Sequence, residues 1–244
     1  YYYNESLKRG KEVLVTYKTH DFPPGVGIQD TGGMMPELTH HMWMTDTSVD
    51  DPAAWSYTRD ASFKSVNTLV DNLVDRVSKN GFLLLNVGPK PDGTIPEEAR
   101  KRLLGIGEWL KVNGEAIYGT TAWIKYGEGP AYEPLPKGSW VGDYDEFQKN
   151  RQEVQFTSQD IRFTVKGKTL YAISLDWPSD ELTIKYLAGE DEYYGLYESE
   201  IESIRMLGVD EELEWKLTED GLTIRTPDKK PCEHAFTFKI ERKH

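Results

Sequence analysis

The sequence predicts an α/β portion followed by an all-β portion, and three observations carry that prediction. Between Met42 and Asn113 the apolar pattern runs strand, helix, strand, helix, which is a parallel repeat. From residue 154 onward it breaks into short β-type runs separated by Gly, Asp and Pro turns, at the close spacing of an antiparallel β-sandwich. Between the two, from Trp123 to Pro136, several Gly and Pro residues mark a seam. The expected domains are residues 1–122 and 123–244.

Tyr1 to Gly10 reads as the last turns of a helix, where Lys8, Arg9 and Gly10 suit a carboxyl end. Val13 to Tyr17 and Val26 to Gln29 read as strands; the Pro23-Pro24 segment between them is too short for a helix. Asp30 to Gly33 reads as a turn and Met42 to Asp46 as a third strand with a polar TDTS end. After the loop Val49 to Asp60, residues 64–80 read as a helix. Val66, Leu69, Val70, Leu73, Val74 and Val77 form one apolar stripe, stopped by Asn80-Gly81.

Phe82 to Leu85 is a continuous apolar run, expected to be a strand covered on both faces. At Asn86 the polarity changes, and Gly88, Pro89, Pro91 and Gly93 impose a rigid path. Thr94-x-x-Glu97 with Pro96 reads as a capping box opening a helix over 96–113. This loop therefore lies at the carboxyl end of a strand, where α/β folds place their ligands. Downstream, β-type runs are read at Val154 to Phe156, Ile161 to Val165, Thr169 to Leu175, Leu182 to Tyr186, Ile204 to Leu207, Trp215 to Leu217, Leu222 to Arg225 and Ala235 to Ile240. Trp140, Trp177 and Trp215 read as core or interdomain residues.

With 244 residues, 38% hydrophobic and 12% aromatic, the chain can bury a core. A net charge of −12 argues against a nucleic-acid partner, because phosphate binding needs a basic face. No apolar run approaches the ~20 residues that span a bilayer, so a soluble chain with no membrane partner is expected. The one cysteine, Cys232, excludes an internal disulfide framework and a cysteine metal cluster, and is expected to pack at a strand start. His40 and His41 are adjacent, so on extended backbone they point to opposite faces and make no metal site. Gly25-Val26-Gly27 has no helix behind it and is no phosphate fingerprint. Tyr1 reads as the middle of a helix with no signal-peptide pattern, so the chain is expected to be a piece of a longer protein in which any leader would lie.

FLLLNVGPKPDGTIPEE (82–98) and the helix GIGEWLKVNGEAIYGT (105–120) together resemble the end of the catalytic barrel in family-29 glycoside hydrolases, the α-L-fucosidases. The likeness continues through DFPPGV (21–26), WMTDTSVDDPAAWSY (43–57) and QDIRFTVKGKTLYAISLDWP (159–178). It implies that residues 1–122 are the carboxyl-terminal portion of a (β/α)8 TIM-like barrel, and that an antiparallel β-sandwich follows. The implied reaction is hydrolysis, with retention, of terminal α-L-fucose from a fucosylated oligosaccharide or glycoconjugate. No metal or organic cofactor is implied. The family's nucleophile is an aspartate on an earlier strand, which would lie before Tyr1, so the isolated chain is expected to be inactive.

Retaining glycosidases use two carboxyl groups about 5–5.5 Å apart, and 41 acidic residues leave composition unable to choose them. In many relatives a glutamate follows the tryptophan matching Trp43, but Met44 stands there and carries no proton. The catalytic candidates that remain are Glu37, in MMPELT before the third strand, and Asp46, at that strand's polar end. The competing readings are a surface carboxylate for Glu37 and a turn or cap residue for Asp46. Relatives commonly carry Glu-Arg at Thr31-Gly32; Gly32 lacks the guanidinium fork, for which Arg59 is the substitute considered.

For substrate binding the candidates are Trp43, Trp55, His20 and Asn86. Trp43 is weighed against barrel core, Trp55 against helix packing and His20 against a loop hydrogen bond. Asn86 is weighed against bracing its loop, the preferred reading. The alternative function, favoured by Met44 and Gly32, is a non-catalytic carbohydrate-binding or scaffold protein of the same fold.

Overall fold

The computed structural model describes residues 1–18, 21–23, 25–31, 35, 37–51, 53–131, 155–188, 197 and 200–243. After a short helix α1 (Tyr2–Lys8), strands β1 (Thr16–Lys18), β2 (Ile28–Asp30), β3 (Trp43–Ser48) and β6 (Gly81–Asn86) form one parallel sheet in that order. Two two-residue strands, β4 (Asp50–Asp51) and β5 (Ser62–Phe63), pair as a clip between β3 and helix α2 (Val66–Ser78). The predicted stripe forms, with Leu69, Val70 and Val74 fully buried. Ser65 caps the helix by accepting from the Thr68 amide at 3.0 Å. Asn80, at φ 69°, ends it in the left-handed region where asparagine is tolerated.

Helix α3 (Glu97–Asn113) starts with Pro96 as N-cap and no side-chain cap bond, so the expected capping box does not form. Thr94 turns back instead, its amide and hydroxyl bonding Asp92 Oδ1 at 2.9 and 2.7 Å. A charged acceptor two residues away outcompetes the helix end. The first strand begins three residues later than expected, and Asp30, read as a turn, is the last residue of β2, paired with Met44. Phe82 and Leu84 are 46% and 52% exposed, so β6 is covered on one face only among the described residues. A continuous apolar run cannot distinguish a strand already covered on both faces from one with a face still open.

After α3 the described chain continues as eight antiparallel strands, which organise as two sheets. One has the order β11 (Ile201–Met206), β14 (Phe236–Arg242), β9 (Thr169–Ser174), β8 (Ile161–Lys166), β7 (Thr121–Glu128). The other has the order β10 (Glu181–Ile184), β13 (Gly221–Arg225), β12 (Trp215–Thr218). Phe163, Leu170, Phe236 and Phe238 of the first share a cluster with Leu182, Ile184, Leu222 and Ile224 of the second. Each such burial stabilises by ~1.5–3 kcal/mol. Trp177 and Trp215 pack against this cluster, Trp177 edge-on to Phe236 at 4.8 Å, as expected of core residues; Trp140 lies outside the described residues.

Strand β7 occupies part of the seam read from Gly and Pro. Gly127 permits it: a Cβ there would stand 2.4 Å from the Ile161 carbonyl oxygen. The register slips between Ala122 and Gly127, so the glycine marks an irregularity inside a strand rather than its end. The run expected at 154–156 is not a strand over 155–156, and Phe156 instead lies under the Arg162 guanidinium at 5.4 Å.

The two portions share a second core. Leu69, Val70, Ile106 and Trp109 of α2 and α3 pack with Tyr171, Ile173 and Leu175 on the far face of the five-stranded sheet. Strand β9 thus buries Leu170 and Ala172 on one side and Tyr171 and Ile173 on the other. Trp109 Nε1 donates to the Ala235 carbonyl at 2.9 Å across this contact. The parallel sheet is thereby fastened from behind. No helix among the described residues is long and apolar enough to cross a membrane.

Candidate active site

Parallel register decides which charged side chains meet. Lys18 pairs with Asp30 and Asp30 with Met44, so Lys18, Asp30 and, two residues further along β3, Asp46 share the sheet face opposite α2. Lys18 Nζ lies 2.9 Å from Asp30 Oδ2 and 3.1 Å from Asp46 Oδ2. The two hydrogen bonds, Asp30's first, raise the Lys18 pKa above its ordinary value. In this arrangement the Asp46 carboxylate accepts from Lys18. Acting as a general acid would require release from Lys18 and uptake of a proton.

At the carboxyl ends of β3 and β6 a chain of hydrogen bonds leaves the sheet. Asn86 Nδ2 donates to Ser48 Oγ at 2.9 Å, the Ser48 hydroxyl bonds Asp50 Oδ1, and Asp50 Oδ2 accepts from the Ala54 amide at 2.8 Å. Lys64 Nζ ties the same turn down through the Ser48 and Asp50 carbonyls at 2.9 and 2.6 Å. Burial pushes the Asp50 carboxyl up, but the bonds from Ser48 and Ala54 outweigh it, and the group is held below the ordinary carboxylate range. The next residue, Trp55, is half-exposed with φ 62°. A left-handed backbone at a bulky residue costs about 1–2 kcal/mol. The anchored turn supplies the constraint, and its result is an indole held out at the strand ends.

Residues 2–115 match the family model described as alpha-L-fucosidase, and residues 152–241 match the alpha-L-fucosidase C-terminal domain. The chain belongs to the α-L-fucosidase family. It is 32% identical over 211 residues to the tissue α-L-fucosidase of Homo sapiens, covering 83% of this chain and 38% of that protein. To the tissue α-L-fucosidase of Bos taurus it is 30% identical over 218 residues, covering 83% and 37%. Among solved structures, the Thermotoga maritima α-fucosidase in complex with fucose superposes with TM-score 0.69 at 28% identity, covering 98% of this chain and 46% of that one. The same enzyme with a mechanism-based inhibitor gives TM-score 0.71 at 27% identity, covering 99% and 47%. The chain thus spans less than half the length of these α-L-fucosidases.

The residues expected from sequence do not all meet in this chain. Asp46 and Asn86 lie toward the carboxyl ends of adjacent strands, Asp46 opposite Leu84 and Asn86 opposite Ser48. Asn86 braces, through Ser48. Trp43 is at the amino end, 3% exposed, lying over Gly81 and donating from Nε1 to the Lys79 carbonyl at 3.0 Å. That is a packing position on the face opposite Asp46. Glu37 is exposed in the loop before β3. Two residues on, Thr39 bonds the Lys79 carbonyl at 3.3 Å, which ties this part of the loop to the amino end of the sheet. His20 and Gly32 lie outside the described residues, and Arg59 is exposed.

Sequence reasoning missed Lys18, Asp30, Ser48, Asp50 and Lys64. Polar residues at strand ends were the available signal, but pairing Lys18 with carboxylates 12 and 28 positions away needs the register. Among the described residues no group of three His, Cys, Asp or Glu side chains could hold a metal ion.

Proposed function

We propose that this chain is the carboxyl-terminal part of a retaining α-L-fucosidase: the last strands of a (β/α)8 barrel carrying Asp46, followed by an antiparallel β-sandwich. The substrate is the terminal α-L-fucose of an oligosaccharide or glycoconjugate, and no cofactor takes part. The observation that carries the reading is the bonded group Lys18, Asp30 and Asp46 on the open face of a parallel sheet whose family is that of the α-L-fucosidases. In the retaining reaction one carboxylate attacks the anomeric carbon as the glycosidic oxygen leaves with a proton from the second carboxyl group. Water then enters as that second group takes a proton back. The attacking aspartate belongs to the earlier part of the barrel, so the isolated chain is inactive. Asp46 and Glu37 are the proton-transfer candidates within this chain. Exposed Phe82 and Leu84 support earlier strands closing over this face.

Met44 favours a second reading. It stands beside Asp30 in register, where the family resemblance implies a glutamate in many relatives, and a side chain that transfers no proton suits a carbohydrate-binding protein of the same fold.

Hydrolysis of an aryl α-L-fucoside by the chain with the earlier barrel strands restored separates the two, with aryl β-galactoside and α-glucoside as controls. Selective release from the fucoside is expected, falling about 100-fold or more in the variant of whichever carboxyl transfers the proton, Asp46→Asn or Glu37→Gln. Binding of fucoside without turnover would establish the second reading instead.

A further inference from the structure

Helix α2 carries two buried aspartates, Asp71 and Asp75, at the four-residue spacing that puts them on one face. Asp75 has both oxygens bonded to cations, Arg162 at 2.8 Å and Lys79 at 2.7 Å. Asp71 is 5% exposed and is bonded differently. Asn67 Nδ2 donates to its Oδ2 at 2.8 Å, while its Oδ1 is buried without a hydrogen-bond partner among the described residues. The preceding residue, Val70, packs with Tyr171, Ile173 and Leu175, so Asp71 sits where the two portions of the chain meet.

The surroundings of Asp71 oppose its charge. Burial is the largest influence and pushes its carboxyl up, to about 8. Arg162 of β8 favours the charged form, whereas Asp176 after β9, Asp75 on α2 and Asp160 just before β8 disfavour it. Arg162 is already engaged, donating from Nε to Asp75 and from Nη1 to the Ile161 carbonyl at 3.1 Å.

A metal ion does not suit this cluster. The Asp160 oxygens are taken by the Ala131 amide at 2.8 Å and by the Thr157 amide and hydroxyl at 2.8 and 2.9 Å. No group of three His, Cys, Asp or Glu side chains among the described residues could hold an ion. A proton needs only one oxygen, and a neutral carboxyl costs far less to bury than a carboxylate.

We propose that Asp71 is a proton-operated latch on the seam between α2 and the five-stranded sheet: protonated, it lets β8 and β9 dock on the helix, and ionised, it loosens that contact while the C-terminal sheets stay formed. The loosening is local because the core between the two C-terminal sheets contains no residue of α2. Opening exposes Asp71 to water, where its pKa returns to near 3.8. Docking is therefore fully favoured below that value and is weakened as pH rises through about 8. The latch does not depend on the fucosidase reading.

The test is hydrogen–deuterium exchange with mass spectrometry at pH 6 and pH 9, corrected for the intrinsic pH dependence of exchange, on the protein, Asp71→Asn and Asp71→Leu. Asparagine keeps an acceptor for Asn67, and leucine removes the buried polar group altogether. Circular dichroism confirms the fold of each variant at both pH values, and either folded variant suffices. The expected result is that protection of α2 and β8 falls about tenfold or more between pH 6 and pH 9 in the protein, but not in the variants. Protection of β12 and β13 should hold throughout. Unchanged protection of α2 and β8 in the protein overturns the proposal. An equal fall in β12 and β13 also overturns it, because the whole fold then opens. So does a fall that persists in the variants, because another group then governs the seam.

Discussion

Arg162 Nε donates to Asp75 Oδ1 at 2.8 Å, joining strand β8 of the C-terminal sheet to helix α2 behind the parallel sheet. Both side chains are almost wholly buried, and Lys79 Nζ occupies the other Asp75 oxygen at 2.7 Å. The Tyr126 ring lies 4.7 Å from Lys79 and 5.7 Å from Arg162. Burial pushes the Asp75 carboxyl up, but the two cations override it and hold the group far below the usual range.

Removing Arg162 strips the buried Asp75 Oδ1 of its partner and leaves Lys79 alone to balance the carboxylate, which costs more than the pair contributes. Arg162→Met should therefore destabilise by roughly 3 kcal/mol in urea unfolding. A change under about 0.5 kcal/mol would show that the junction does not depend on this pair. Because the folded Asp75 pKa is depressed, its contribution is present above the unfolded value near 3.8 and is lost as pH falls through the folded one.

One turn earlier on α2, Asp71 behaves oppositely. Burial pushes its carboxyl up to about 8, with Asn67 Nδ2 on one oxygen at 2.8 Å. The other oxygen, Oδ1, is buried without a hydrogen-bond partner among the described residues. A raised folded pKa means that stability is fully present below the unfolded value near 3.8 and is lost as pH rises through about 8. Asp71→Asn should flatten this slope, raising the unfolding midpoint at pH 9 more than at pH 5. Parallel pH profiles for the two proteins would refute it.

Ser48 links Asn86 to Asp50 in the loop-anchoring chain, so Ser48→Ala should loosen the turn that presents Trp55. A loss of ~1 kcal/mol of local stability corresponds to about fivefold faster cleavage in the loop 49–60 under limited proteolysis. Mass spectrometry of the nicked chain would locate the cut; unchanged cleavage there would mean that Lys64 alone holds the turn.

Phe82 and Leu84 place apolar side chains on the open sheet face with Asp46. In isolation the 244-residue chain should self-associate through this face, and Phe82→Glu with Leu84→Glu should return it to a monomer in sedimentation velocity. A native chain that sediments as a monomer would contradict this.

Much of this architecture was legible locally. The stripe from Val66 to Val77 yields α2, the Asn80-Gly81 stop ends it, and the β-type runs from Ile161 to Ile240 yield the antiparallel sheets, because periodicity and turn chemistry act over a few residues. Reading failed where two local options compete. Thr94 could cap a helix or close a turn on Asp92, and Gly127 could end a strand or admit a close neighbour.

What the sequence by itself determined was the order and kind of most elements, the acidic surface and a family likeness that the comparisons bear out. Which side chains meet was decided only by the tertiary structure. Lys18 reaches Asp30 and Asp46 because three parallel strands align, and Trp43 and Asp46, three residues apart, face opposite sides of one sheet. Arg162 reaches Asp75, 87 positions away, because two apolar faces close the halves on each other. A hydrogen bond needs its groups within about 3 Å, and across such separations that distance is imposed by register and packing rather than by neighbours in the chain.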